Sequence, residues 1–188
     1  CALNTCGFSC LPGFIDFDGL SSNGCEFLCT PSGVDDPDDA VVDANCDGID
    51  GDESRAIFVS QLGADANPGT KLAPKRTVQA GINAASLAKP HVYVSTGVYL
   101  ETVSLRPGVS VYGGYSQVAN WTRNTSLYPV TIQNDTTVSG KVIAVTGNAI
   151  NVNTTVAYLA IRSGNATGAG ASSIGLHCVN CTNLLLHQ

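Results

Sequence analysis

The sequence predicts an all-β fold: a right-handed parallel β-helix (a solenoid) with one N-terminal capping α-helix, preceded by a small disulfide-rich irregular domain. Three observations carry this expectation. Short β-type runs of about four to eight residues recur after residue 90, between turns rich in Gly, Asn, Thr and Ser. A helical period occurs once, at residues 78–89. Six of the eight cysteines crowd into the first 46 residues.

The crowded cysteines, at positions 1, 6, 10, 25, 29 and 46, sit in a segment with few large apolar residues. Small cysteine-dense units are usually disulfide scaffolds from an oxidising compartment. Cys6 and Cys10, like Cys25 and Cys29, have a short spacing that zinc also uses. Disulfides are the expectation because His91, His177 and His187 all lie far downstream. Six cysteines allow 15 connectivities, and spacing does not choose among them.

Charge divides the chain at the same place. The net charge of -6 conceals ten Asp, two Glu and no Lys or Arg in residues 1–54, against nine bases and three acids (Asp65, Glu101, Asp135) in 55–188. Twelve carboxylates in a short unit repel one another unless cations neutralise them. The bases are scattered apart from Lys75-Arg76, so nothing reads as a nucleic-acid surface. No apolar run approaches the roughly 18 residues of a membrane span. The chain begins without methionine and without a signal peptide, so a processed chain or a fragment is expected. The domains read as 1–54, a Cys/Asp-rich calcium-binding head, and 55–188, a β-helix domain that is C-terminally incomplete.

Along the second domain, AIFVS (56–60) reads as the first strand and QLGADANPGTKLAPKR as a loop with Gly, Asn-Pro-Gly and Pro signals. Thr77 N-caps a helix over VQAGINAASLAK, with Val78, Ile82 and Ala85 on one face and Pro90 as the stop. Strand candidates follow at 91–95, 98–105, 109–114, 130–133, 141–145, 155–162, 174–178 and 183–187. Such strands could build a sandwich, a barrel or a solenoid. Consecutive apolar positions such as AYLAI and recurrent turn asparagines favour the solenoid. A single helix then makes sense as the plug on the first coil.

These residues also carry a resemblance. IFVSQLGADANPGTKLAPKRTVQAGINAA, followed by VYVSTGVYLETVSLRPGVSVYGGY, resembles the opening of bacterial right-handed parallel β-helix domains of the pectin-lyase-like superfamily. It is similar, more closely, to a surface-protein group of unassigned function. The matching elements are the strand ending in Ser60, the loop from Gly63 to Thr70, the Thr77 helix, Gly97-Val-Tyr99-Leu-Glu101 and Tyr112-Gly-Gly-Tyr115. The resemblance spans about residues 55–188. NGCE and DANCDGIDGDE are similar to the Cys- and Asp-rich leaders that precede such domains in secreted bacterial proteins. A complete β-helix of this kind ends in a cap, whereas this chain stops at LLLHQ. The resemblance therefore implies removed coils or an end covered by another chain.

Asp43-x-Asn45-x-Asp47-Gly48 matches the first half of a calcium loop, with oxygen ligands at positions 1, 3 and 5 and the turn glycine at 6. Position 12 is Ser54 rather than Glu, and Asp50 and Asp52 stand where an EF-hand has no ligand. The segment therefore reads as a helix-free calcium (Ca2+) loop of an extracellular protein. Asp16 and Asp18, with Asn23 and Glu26, form a second candidate, and Asp35, Asp36, Asp38 and Asp39 could add ligands. A solvated acidic linker is the plainer alternative.

Catalysis by paired carboxylates needs an acid and a base about 5–10 Å apart on a rigid groove. The solenoid offers three scattered acids, and Arg106, Arg123 and Arg162 have no acidic partner in sequence, so no catalytic residue is assigned. Cys178-Val-Asn-Cys181 has redox spacing without thioredoxin-like surroundings and reads as a structural disulfide. Six sequons (Asn120, Asn124, Asn134, Asn153, Asn165, Asn180) are better explained as turn asparagines. Trp121, a candidate sugar platform, reads better as packing under a loop.

The expected function is a secreted or cell-surface structural or adhesive module, held by calcium and disulfides and assembling head-to-tail into filaments. Its expected partner is a second copy of itself or an extracellular polysaccharide. The competing class is a carbohydrate-active enzyme (a polysaccharide lyase or hydrolase) or a carbohydrate-binding β-helix.

Overall fold

The computed structural model describes residues 14, 15, 22, 24, 25 and 27–188. The chain divides into two compact units, Cys1–Glu53 and Ser54–Gln188. In the first, β1 (Phe14–Ile15) pairs antiparallel with β2 (Phe27–Leu28). Irregular backbone follows, tied by a disulfide between Cys29 and Cys46.

The second unit is a parallel β-solenoid. It opens with β3 (Ala56–Val59) and α1 (Val78–Ala84). A coil of β4 (His91–Ser95), β5 (Gly97–Leu100) and β6 (Val103–Ser104) follows. The next coil holds β7 (Ser110–Ser116), the short β8 (Thr122–Arg123), β9 (Val130–Asn134) and β10 (Lys141–Asn148). Then come β11 (Thr154–Ala157), β12 (Ala160–Ser163) and β13 (Ser172–Val179), and β14 (Leu184–His187) starts another turn. These strands stack into three parallel sheets, ordered β14-β11-β7-β4-β3, β13-β10-β6 and β12-β9-β5.

Register decides what is inside. Ile57, Val92, Val111, Val156 and Leu186 stand in one column. The first four are core residues, together with Val94, Tyr99, Val103, Ile132, Val145 and Ile150. Tyr99, Ile132 and Ile161 form the matching column of the second sheet, and Val103, Val145 and Leu176 that of the third.

The helix is shorter than its apolar period suggested, ending at Ala84 with Ala85 as C-cap. Val78, Ile82 and Ala85 are buried as expected, but Leu87 is wholly exposed, so nothing rewards a further turn. A tight turn takes over, in which Ser86 and Lys89 exchange backbone hydrogen bonds. Two long runs also divide. Residues 98–105 split at a corner after Leu100, and 155–162 split at Tyr158, whose φ is 58°. Each half joins a different sheet.

The loop from Gly63 to Thr70 closes the first edge. Phe58 N–H donates to Gly69 O in this loop, and Ser60 N–H, just past β3, donates to Lys75 O farther along the chain. An open strand edge would otherwise invite pairing with another chain.

Candidate functional site

The Asp-rich loop folds around its own side chains. Asp43 accepts the backbone N–H of Asp47 at 3.1 Å on one oxygen and that of Gly48 at 2.9 Å on the other. Asn45 Oδ1 also accepts from Asp47 N–H, at 2.9 Å. Asp47 accepts from Ile49 N–H at 3.1 Å and from Glu53 N–H at 2.7 Å. The side-chain oxygens at loop positions 1, 3 and 5 are thus each engaged by amides that follow them, as in Asx turns.

Asp35, from farther upstream, joins this loop. Its Oδ2 accepts from Ala44 N–H at 3.2 Å and Gly51 N–H at 3.0 Å, and the residue is buried. Burial pushes its carboxyl up to about 6, against two amide hydrogen bonds and with help from the charges of Asp50 and Asp43. Burial raises Asp47 as well. Asp50 is buried, whereas Asp52 is half-buried. Asp35 stood in the sequence only as an optional ligand, because its sixteen-residue separation from Gly51 hides the contact.

The donor set consists of hard oxygens, the chemistry calcium takes. Among the described residues, no group of three or more His, Cys, Asp or Glu side chains is gathered so as to hold a metal. Asp16 and Asp18 lie outside the described residues, as do Cys1, Cys6 and Cys10. Cys25 is disulfide-bonded, Cys29 pairs with Cys46, and Cys178 pairs with Cys181. Cys29 is thereby removed from any zinc reading. His177 lies in β13 and His187 in β14, strands of different sheets.

The three acids of the solenoid are employed structurally. Glu101 accepts the backbone N–H groups of Val78 at 2.8 Å and Gln79 at 3.0 Å, the first amides of α1. Asp65 accepts those of Arg76 at 3.0 Å and Thr77 at 2.9 Å, while Thr77 Oγ1 caps Ala80 N–H. Two carboxylates therefore serve one helix N-terminus, where free amides and the helix dipole favour negative charge. Burial, with the Asp65 charge adding, sets Glu101 above its ordinary value despite its amide partners. In Asp65, burial raises the carboxyl, but hydrogen bonds from Thr77 and Arg76 and the charge of Lys75 outweigh it, leaving it low. Asp135 accepts from Gln133 Nε2 at 2.8 Å. Arg106 donates to Ala85 O at the helix's other end.

The outer face of the first sheet is covered by aromatic residues. Phe58, Tyr93 and Tyr112 stand in register, and Tyr115 stacks on Tyr93 with ring centroids 4.8 Å apart. Gly113 and Gly114 form a bulge opposite Tyr93–Ser95, and a Cβ on Gly113 would collide with Tyr158 O. Only glycine allows that approach while both tyrosines stay on one face. Trp121 lies edge-on to Phe58 at 4.7 Å and donates from Nε1 to Lys71 O at 3.1 Å. At 2 % exposure it is packing, not a sugar platform. Arg123 sits 4.0 Å above the Tyr158 ring, in cation–π contact.

Two open grooves run along the solenoid. One, of about 410 Å³, is lined by Gln61, Arg76, Thr77, Val98, Leu100 and Glu101. The other, of about 360 Å³, includes Thr125, Thr131, Tyr158 and Arg162. Among the described residues no helix is long and apolar enough to cross a membrane. Set against known protein families, curated proteins and solved structures, the chain matches none of them.

Proposed function

We propose that this protein is a secreted structural or adhesive module of the cell surface, a parallel β-helix of the pectin-lyase-like type whose head is rigidified by calcium. The observation that carries a non-catalytic reading is the commitment of Asp65 and Glu101 to the amides of α1. A carboxylate that loses its helix amides when it exchanges a proton would weaken the fold with every turnover.

Calcium is supported by the chemistry of Asp43, Asn45 and Asp47. They lie within one loop, and Asp43 Oδ1, Asp43 Oδ2 and Asp47 Oδ1 each accept one backbone amide and keep a second lone pair for a cation, whereas Asp47 Oδ2 accepts from both Glu53 N–H and Asn45 Nδ2. Asp35 and Asp50, buried beside them, add negative charge that a cation would neutralise. Thermal melting of the disulfide-intact chain tests this. Calcium raises the head's transition above that seen with a chelator, and D43N/D47N removes the increment. An identical melt with and without calcium would sink the calcium reading.

Head-to-tail assembly extends the proposal. The head carries twelve acids and no base, whereas residues 136–188 carry Lys141 and Arg162 and no acid. Opposite fields steer such surfaces together, and contacts that do not close into a ring build filaments. Sedimentation at rising concentration in calcium reads out the assembly. A chain that stays monomeric throughout removes it.

A carbohydrate-binding or carbohydrate-active β-helix is the second reading, favoured by the groove that holds Gln61 and Arg76. A panel of acidic and neutral polysaccharides separates the two. Binding or turnover lost in R76A, a residue outside the helix-capping contacts of Glu101, would replace the structural reading.

A further inference from the structure

The outer faces of the sheets differ. Aromatic side chains and the loops carrying Lys71 and Trp121 cover the first. The second, β12-β9-β5, stands open. One row of its outer face runs through Val98, Thr131 and Ala160, and the next through Leu100, Gln133 and Arg162. Val98 and Leu100 line one groove, and Thr131, Ala160 and Arg162 line the other, so the two are stretches of one trough across the three strands.

The trough is aliphatic at one end, where Val98 is 48 % and Leu100 72 % exposed. Arg76 enters it beside β5, and Arg162 stands on β12. Both side chains are exposed, and neither guanidinium has a hydrogen-bond or ion-pair partner among the described residues. Glu101, the acid of the trough, has both oxygens bonded to the amides of Val78 and Gln79. Each guanidinium therefore presents a planar fork that matches a carboxylate.

The head carries the complement, with twelve acids and no base. Its residues 34–38 run without helix or strand, Val34 is 74 % exposed, and Asp36 and Asp39 lie at the surface. Three residues of extended chain, as from Asp36 to Asp39, span up to about 10 Å. From β5 to β12 is two strand spacings, also about 10 Å.

We propose that the trough over β5, β9 and β12 docks the segment 34–39 of a second copy, with Asp36 and Asp39 on Arg76 and Arg162 and Val34 on the aliphatic end. This rests on the head-to-tail assembly proposed for the chain and names the two surfaces that meet. Because the surfaces differ, every added copy leaves a head and a trough free, and the contact propagates.

Sedimentation velocity of the full chain in calcium tests the docking, with wild type, R76E/R162E, D36K/D39K and an equimolar mixture of the two variants. Wild type grows in mass with concentration. Each variant alone stays at the monomer mass of 19.3 kDa, because like charges then face each other. The mixture assembles again, since the native head of one variant fits the native trough of the other and the reversed surfaces also match. That recovery shows that both variants are folded. Assembly that persists in either variant alone overturns the trough and leaves head-to-tail assembly standing. A mixture that stays monomeric also overturns the trough, and a monomeric wild type removes both. If R76E/R162E assembles like wild type but no longer binds an acidic polysaccharide, the trough belongs to the carbohydrate reading and the proposal falls.

Discussion

Glu101 accepts the backbone N–H of Val78 at 2.8 Å, so a side chain from the second coil caps the helix that plugs the first. The bond joins residues 23 apart and makes the closure of the solenoid depend on a neighbouring coil. E101A leaves two buried helix amides without acceptors and lowers stability by about 1–2 kcal/mol. The transition of the solenoid in chemical denaturation measures the loss.

The same helix end gives opposite pH responses from its two acids. Glu101 titrates above its unfolded value, so the folded state holds the proton longer, and stability falls as pH rises through that window. Asp65 titrates below its unfolded value, so its contribution is present above the ordinary carboxylate range and is lost as pH falls. Melting followed from pH 3 to 7 shows both limbs. E101Q flattens the upper one and D65N the lower. A D65N profile with the acid limb intact contradicts the assignment.

Gly81 lets α1 lie directly on the first two coils. A Cβ there would stand 2.5 Å from Val59 Cγ2 and 2.9 Å from Val92 Cγ1. Alanine normally improves a helix by about 1 kcal/mol over glycine. Here G81A forces the helix off its seat and destabilises by about 1–3 kcal/mol instead. A G81A protein with a raised melting temperature refutes this packing.

Trp121, the one tryptophan, joins the outer aromatic layer to the loop carrying Lys71. Its fluorescence is blue-shifted in the native state and shifts red as the solenoid unfolds. W121A costs about 3–5 kcal/mol. W121F retains most of the ring contact with Phe58 and loses mainly the hydrogen bond to Lys71 O, about 1 kcal/mol.

Much of the fold was legible in residue patterns. The parallel solenoid, the Thr77 cap, the buried face of Val78, Ile82 and Ala85, and most strand positions follow from local period and turn chemistry. The Asp43–Gly48 spacing marked the acidic loop, because side chains two residues apart share a side of an irregular loop. Three things were not legible: the corners that divide 98–105 and 155–162, the covering of the outer face, and the partners of Asp35, Asp65 and Glu101.

By itself, the sequence determined which segments are β-forming, where the helix starts and where charge and cysteine concentrate. Those properties depend on neighbours a few residues apart. Only the tertiary structure decided which residues stack, because every rung of a parallel solenoid pairs across a whole coil. From Ile57 the column passes to Val92, Val111, Val156 and Leu186, at separations of 35, 19, 45 and 30 residues. Coils of such unequal length leave no repeat period in the sequence. The roles of Glu101 as a helix cap and Gly147 as the seat of a disulfide therefore exist only once the coils are stacked.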